Sequence, residues 1–343
     1  MNNISIPRKY TNTANVETPF DNSLPLTWYP IGLSKDLKKQ KHMNFNMFGE
    51  DWIAFRTKKG TLGATSRFCC HVGTDLSNGK VVNECIECPL HGWQFNTDGI
   101  CKHIPAQKFI PEKAILKTLL IEEHFGIIFI FPNKTALFEF QQICGDSRNL
   151  QYSSTRIVPI DAPACIVTLN TFDTQHYKKI HKREFISKPE ISQPSIYCLK
   201  ISYTAKVIKQ RWFDYVIDKV ANSEVSVSIE AWGGTLLYLK TKNTNFGCLI
   251  SVKPSNDKKN SVYLTAIKDK NSQHSLLKRI INKLMLNIAV VIFKSYLMED
   301  KKVISNIHPI KGTLLDDTDD GLKLFFKYWE KLPKCQITSS NKI

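Results

Sequence analysis

The sequence predicts an α+β protein in two parts, an all-β N-terminal part followed by one long antiparallel sheet with long helices. Three observations predict it. From Trp28 to about Pro132 the chain alternates short apolar runs with Gly, Asn and Asp turns, which is strand punctuation. Five further segments between Ile201 and Ile267 read as strands of a single sheet. From Ser275 to Asn306, Lys and Arg fall on one side and Leu, Ile and Val on the other, the period of a helix. At 343 residues the chain has room for two domains. The expected division is a polar, flexible lead over 1–24, a first domain over 25–134 and a second over 135–343.

In chain order, Trp52–Phe55, Gly60–Ala64 and Gly126–Phe131 read as strands, and Asn78-Gly79 as a hairpin turn. Asn133–Asp146 reads as a linker, Ile157–Leu169 as strand and Asn170–Lys182 as helix. The long sheet is expected over Ile201–Lys206, Glu224–Ala231, Thr235–Thr241, Gly247–Val252 and Val262–Ile267, with a polar connection at Pro254–Asn260. Gly321–Lys331 reads as a last amphipathic helix. Asp316, Asp317, Asp319 and Asp320 read as a solvated acidic loop.

Composition bounds the function. The 42% of hydrophobic residues suffice for a sizeable core. The formal charge is +16, from 47 basic and 31 acidic side chains. No nucleic-acid-binding motif accompanies it, so no nucleic-acid partner is expected. The lysines are either ordinary solvated ones or a docking face for an acidic electron donor. Most of the ten cysteines read as reduced thiols of a cytoplasmic protein. Met1–Asn22 lacks an apolar signal core. The longest apolar stretch, Leu284–Phe293, is interrupted by Asn287 and reads as a buried helix, so no transmembrane segment is expected.

Two constellations carry chemistry. Cys69-Cys70-His71 and Cys88-Pro89-Leu90-His91 are separated by sixteen residues. Two thiolates and two imidazoles suit either tetrahedral zinc or a two-iron, two-sulfur cluster. Zinc fingers pair Cys with Cys and His with His, whereas each loop here offers one of each. The second constellation is Asn170, Asp173, His176 and His181. Two His and a carboxylate on one face leave metal positions open. His176 and His181 are five apart, so both can reach one metal only if the helix bulges or ends between them.

Together the two patterns resemble the α subunit of Rieske non-heme iron oxygenases, over roughly Trp28 to Trp329. His91-Gly92-Trp93-Gln94-Phe95 and Asp98-Gly99-Ile100-Cys101 continue the family pattern. The middle position usually held by proline is Cys70, read as a neighbour of the cluster. Thr74 and Leu90 stand where respiratory Rieske proteins carry a disulfide, which favours the oxygenase type. The single-chain length resembles the monooxygenase branch of vanillate and dicamba demethylases, and the loop Asp98–Pro105 that of ketosteroid hydroxylases and cholesterol desaturases.

The resemblance implies a Rieske [2Fe–2S] domain followed by a helix-grip (START/Bet v1-like) catalytic domain. It implies that Cys69 and Cys88 hold one iron of the cluster, and His71 and His91 the other. It implies a mononuclear Fe(II) held by His176, His181 and Asp300, with Glu299 the nearest rival. Asp173 would bridge an iron-ligating His to a Rieske His of the next subunit in a homotrimer, with Asn170 beside the ligands. Lys178, Lys179, Lys182 and Arg183 are expected to face solvent or a subunit boundary. The implied partners are O₂, a separate NAD(P)H reductase with or without a ferredoxin, and a hydrophobic or aromatic small molecule. The implied reaction is hydroxylation, demethylation or desaturation. Pocket walls are expected from the sheet around Trp212–Val227 and Trp232–Ile250 and from the helix near Leu284. The competing reading is an electron-transfer or lipid-binding protein without oxygenase activity.

Overall fold

A computed structural model describes residues 24–146, 149–221, 223–242, 246–255, 259–270, 276–305, 307, 315 and 318–335. The expected lead, apart from Leu24, lies outside these residues, as do Asp316 and Asp317.

The N-terminal part holds ten strands: β1 (Tyr29–Leu33), β2 (Lys41–Met47), β3 (Glu50–Arg56), β4 (Leu62–Ser66), β5 (Lys80–Val82), β6 (Cys85–Glu87), β7 (Gln94–Phe95), β8 (Cys101–His103), β9 (Leu120–His124) and β10 (Ile127–Phe131). They form three antiparallel sheets in the orders β1-β10-β9, β2-β3-β4 and β5-β6-β7-β8. The expected hairpin at Asn78-Gly79 is displaced. Leu76–Asn78 is instead a 3₁₀ turn whose first residues are capped by the Asp75 carboxylate. The tight turn falls at Asn83-Glu84, where Val82 pairs with Cys85 and Asn83 takes a φ of 51°. Asn tolerates this left-handed conformation.

The expected linker is packed. It contains α1 (Phe140–Cys144), with Phe138, Phe140, Ile143 and Cys144 buried. These side chains surround Trp28, whose indole Nε1 donates to the Phe138 carbonyl at 3.0 Å.

The second part runs β11 (Leu150–Asp161), α2 (Ala164–Leu169), α3 (His176–Lys179), β12 (Arg183–Phe185), β13 (Glu190–Ser195), β14 (Cys198–Val207), α4 (Trp212–Ala221), β15 (Glu224–Trp232), β16 (Leu236–Thr241), β17 (Phe246–Lys253), β18 (Lys259–Asp269), α5 (Leu276–Ile304) and α6 (Asp320–Lys331). One antiparallel sheet runs β11-β18-β17-β16-β15-β14-β12, with β13 also on β14. All five expected strands of the long sheet are present. Trp212–Ala221, expected as sheet, is helix α4. Its apolar residues Phe213, Val216 and Ile217 follow helical rather than alternating spacing.

The near-continuous apolar runs of β17 and β18 have a physical cause. Cys248, Val252, Val262 and Leu264 point into a core shared with Leu297 of α5 and with Phe325 and Trp329 of α6. Their neighbours Leu249, Tyr263 and Ile267 point the other way, into a core shared with Trp28, Phe129 and Phe131. Strand side chains alternate faces, and both faces here are covered. The two parts are also joined by backbone: Leu26 N donates to Pro333 O, and Cys335 N to Leu24 O, each at 2.7 Å.

Helix α5 departs from expectation. Its C-terminal half is anchored in the core by Leu297 and Ile304, but Leu284 is 60% exposed, and Ile281, Met285 and Ile288 are exposed with it. The stretch read as a buried helix therefore presents an apolar face outward. By length and composition alone Ile280–Ile304 could cross a bilayer.

Candidate metal centres

The first ligand pair sits on two loops of the same construction. Cys69 lies between β4 and β5, and Cys88 between β6 and β7. In one loop Cys69 N donates to Thr74 O and Gly73 N to Cys69 O, each at 2.9 Å. In the other, Cys88 N donates to Trp93 O at 2.8 Å and Gly92 N to Cys88 O at 3.0 Å. Gly73 (φ 78°) and Gly92 (φ 70°) close the loops in the left-handed region, where glycine carries no Cβ penalty.

This geometry buries both cysteines and leaves both histidines exposed. The Nδ1 atoms of His71 and His91 face one another at 3.2 Å, and His71 stacks on Trp93. Burial pushes the Cys69 thiol up to about 12, and the adjacent Cys88 adds to this. Such thiols become thiolates when a cation takes the proton's place. The donor set therefore fits a [2Fe–2S] cluster, with its thiolate side inward and its imidazole side at the surface. Cys70 is exposed, whereas Cys69 is buried. A bidentate pair ties the base of the first loop: Arg67 Nε donates to Asp75 Oδ1 at 2.9 Å and Nη2 to Oδ2 at 2.5 Å.

The second centre is built where the expected helix over Asn170–Lys182 breaks. A 3₁₀ turn spans Asn170–Phe172, α3 covers only His176–Lys179, and Lys182 turns with a φ of 54°. Ending the helix between His176 and His181 returns both imidazoles to one side. The third member comes from α5. One ligand atom each from His176, His181 and Asp300 lies within 4.8 Å of the others. Asp300 Oδ1 is 3.0 Å from His181 Nε2 and 3.9 Å from His176 Nε2. The buried Asp300 Oδ1 nevertheless makes no hydrogen bond. A buried carboxylate oxygen without a partner is rare in folded proteins, and a cation held between it and the two facing Nε2 atoms removes the anomaly. The site fits a 2-His-1-carboxylate iron.

Outer contacts orient the ligands. His176 Nδ1 donates to the Asp173 backbone carbonyl at 2.5 Å, which leaves Nε2 as the lone pair facing the site. The Asp173 carboxylate accepts from Gln175 N at 3.0 Å and is half-buried. Asn170 Nδ2 reaches within 3.5 Å of His176 Nε2. Burial, then the neighbouring His181, lowers the His176 pKa and favours the neutral ligand form. Burial also pulls His181 down, but Asp300 and Glu299 outweigh it and the net shift is upward.

Glu299 lies on the other edge of His181, 3.6 Å from Nδ1, and is held by Arg211 Nη1 at 2.5 Å. Arg211 Nη2 also donates to the His181 carbonyl at 2.7 Å. Asp214, fully buried, binds both Arg211 and Arg183. Arg183 is therefore not solvent-facing as expected: it is buried beside the pocket and hydrogen-bonds the Tyr296 hydroxyl. Lys178 and Lys179 are exposed. The Arg183–Asp214–Arg211–Glu299 chain was missed in the sequence. Only the helical spacing of Arg211 and Asp214, three apart, hints at it.

His176, His181 and Asp300 line one end of a cavity of about 380 Å³. Its walls come from Val227, Leu239, Phe246 and Ile250 of the sheet, and from Ile288 and Phe293 of α5. The expected sheet and α5 walls are there, and α4 adds Val216 and Ile217.

Comparison with known proteins agrees with this architecture. A family profile described as the Rieske [2Fe–2S] domain matches residues 27–117. Chlorophyllide a oxygenase of Oryza sativa subsp. japonica is 34% identical over 126 residues, which is 37% of this chain and 23% of that protein. Cholesterol 7-desaturase of Drosophila melanogaster is 27% identical over 243 residues, 65% of this chain and 56% of the relative. The chain thus spans about a quarter to about half the length of these relatives. Dicamba monooxygenase bound to dicamba superposes with a TM-score of 0.60 at 15% identity, over 90% of this chain and 96% of that one. NdmA of Pseudomonas putida CBB5 with caffeine gives 0.60 at 18% identity, over 88% of each. The chain therefore carries a Rieske [2Fe–2S] domain over residues 27–117, is similar over part of its length to the oxygenase and the desaturase named, and shares the fold of the two solved structures.

Proposed function

We propose that the chain is a terminal oxygenase that uses O₂, and electrons from a separate NAD(P)H reductase, to hydroxylate, demethylate or desaturate an apolar or aromatic small molecule. One observation carries this reading: His176, His181 and Asp300 converge, with the buried Asp300 Oδ1 unpartnered, against an apolar cavity. When bound, the mononuclear ferrous ion supplies O₂ activation and the [2Fe–2S] cluster supplies single electrons.

The protein's own part is positioning and exclusion. Val227, Leu239, Ile250 and Phe293 keep water from the reacting end of the cavity and hold an apolar ligand there. Asn170, Thr241 and the Tyr296 hydroxyl supply few polar anchors, enough to orient one polar group of the substrate. The Asp173 carbonyl holds the proton of His176 on Nδ1. We assign to the Asp173 carboxylate the link to a Rieske histidine of a neighbouring subunit in a homotrimer. Two features support this: the carboxylate is reachable from outside, and His71 and His91 are exposed among the exposed apolar residues Phe68, Val72 and Leu90. None of the ten cysteines is joined in a disulfide, and we assign the chain a reducing, cytoplasmic setting.

The deciding experiment counts iron and acid-labile sulfide on anaerobically purified protein, then follows O₂ uptake with a reductase and candidate apolar substrates. About three irons to two sulfides, with substrate-dependent uptake, is expected. About two to two, with no uptake, would overturn the oxygenase reading in favour of an electron carrier.

A further inference from the structure

We infer that the outer faces of α4 and α5 dock on an anionic lipid surface, and that the cavity opens onto that surface. On α5, Ile281, Leu284, Met285 and Ile288 recur at helical spacing and are all exposed, together with Ile280 and Val291. They cover roughly 140° of the helix circumference at 100° per residue. On α4, Trp212, Tyr215 and Val216 repeat the same spacing, and Trp212 is 59% exposed. A surface this apolar marks an interaction site. Trp and Tyr beside aliphatic residues suit the boundary between headgroups and acyl chains.

Charge selects the occupant. From Lys270 to Met298 the sequence has five basic residues, Lys270, Lys278, Arg279, Lys283 and Lys294, and no Asp or Glu. The whole chain carries +16. Two copies meeting through this face would bring like charges together, whereas an anionic bilayer attracts them. Helix α5 lies on that bilayer and does not cross it. Its opposite side holds Leu286, Leu297 and Ile304 in the protein core and carries Asp300, so insertion would dismantle the sheet packing and the metal centre.

The docking face and the cavity share residues. Val216, Met285 and Ile288 are exposed and also line the cavity that ends at His176, His181 and Asp300. An apolar substrate dissolved in the bilayer would enter between α4 and α5 without crossing water. That delivery step rests on the oxygenase reading; the docking does not.

The test is vesicle flotation of the full chain, with phosphatidylcholine alone or mixed with phosphatidylglycerol. The protein is expected to float with the mixed vesicles, less with the neutral ones, and less at high salt. The double variant Leu284→Asp/Trp212→Ser should weaken partitioning about tenfold or more, with its cluster spectrum unchanged. A milder readout guards against misfolding: brominated acyl chains should quench tryptophan emission, and Trp212→Phe should remove most of that quenching. No flotation would overturn the inference, as would flotation and quenching that the variants leave unchanged. A smaller oligomer by light scattering in the double variant would also overturn it, by giving the face to a second copy. Flotation needs neither iron nor turnover, so its failure is separate from failure of the oxygenase reading.

Discussion

Asp300 Oδ1 lies 3.0 Å from His181 Nε2 and makes no hydrogen bond with it. A carboxylate and an imidazole so close would ordinarily share a proton. Here both are turned toward the space that His176 also faces, the geometry of groups arranged around a common cation.

His176→Ala, His181→Ala or Asp300→Ala is expected to lower bound iron from about three to about two per chain while the Rieske absorption persists. Glu299→Gln should keep all three irons, because Glu299 sits at the Nδ1 edge of His181 with Arg211. Metal analysis of the four variants beside the parent checks the assignment. Full iron in Asp300→Ala would remove that residue from the ligand set.

Asp173 has two separable roles. Its backbone carbonyl holds His176 and survives substitution, whereas its carboxylate does not. Asp173→Ala is therefore expected to retain iron and cluster but slow substrate-dependent O₂ uptake by about a hundredfold or more, the scale of a lost positioning contact. Stopped-flow reoxidation of the reduced cluster would read this directly; an unchanged rate would sink the bridge.

The two loop glycines should differ. Gly73→Ala meets open space and incurs only the cost of its positive φ, about 1 kcal/mol. Gly92→Ala incurs the same cost and also brings its Cβ to 2.9 Å from Pro105 Cγ. Thermal loss of cluster absorbance should come at lower temperature in Gly92→Ala than in Gly73→Ala.

The Arg67–Asp75 pair predicts a pH dependence. Its hydrogen bonds from Arg67, then those of Ser77, hold the Asp75 carboxyl well below the usual carboxylate range. A carboxylate depressed in the folded state stabilises above its unfolded pKa, near 4, and that stabilisation is lost as pH falls below it. Asp75→Asn should therefore lower stability by about 1 kcal/mol at pH 7. The gap should close as pH falls through the acid range. Denaturant titrations at neutral and acid pH would measure it, and a gap that widens in acid would contradict the sign.

Asp214 is fully buried between Arg183 and Arg211. Asp214→Ala leaves two guanidinium groups without their shared carboxylate, and removing one partner of a buried ion pair costs about 3–5 kcal/mol. A large drop in denaturation midpoint is expected, against almost none for Lys188→Ala, whose pair with Asp320 is solvent-exposed.

How much of this is legible in the sequence follows from what local chemistry constrains. Cys69, His71, Cys88 and His91 stand out because a cluster demands those residue types on short loops, and the structure brings the loops together. The five strands from Cys198 to Asp269 stand out because their runs are long and bounded by turns. The break after Lys179 is legible as a necessity, since two imidazoles five apart cannot share a face of an unbroken helix. Partners distant in sequence are not legible. Nothing local distinguishes Arg183 from Lys182, yet burial against Asp214, 31 residues on, makes one structural and leaves the other beside solvent. The apolar face of α5 misleads for a related reason: hydrophobicity reports a preference to leave water without saying whether protein or another phase accepts it.

The sheet that separates the two cores has a mechanical consequence. Leu249, Tyr263 and Ile267 pack against Trp28 and Phe129, while their strand neighbours Cys248 and Leu264 pack toward the elements carrying the mononuclear site. With 24–26 also clasped by 333–335, Trp28 and Phe129 of the N-terminal part and the elements carrying the iron site are mounted on opposite faces of one stiff plate. The cluster loops stand one layer further out, in a core of their own with Ile53, Phe55 and Phe95. A fragment cut near residue 134 would keep that inner core around its loops but strip Phe129 and Phe131 of the wall they pack on.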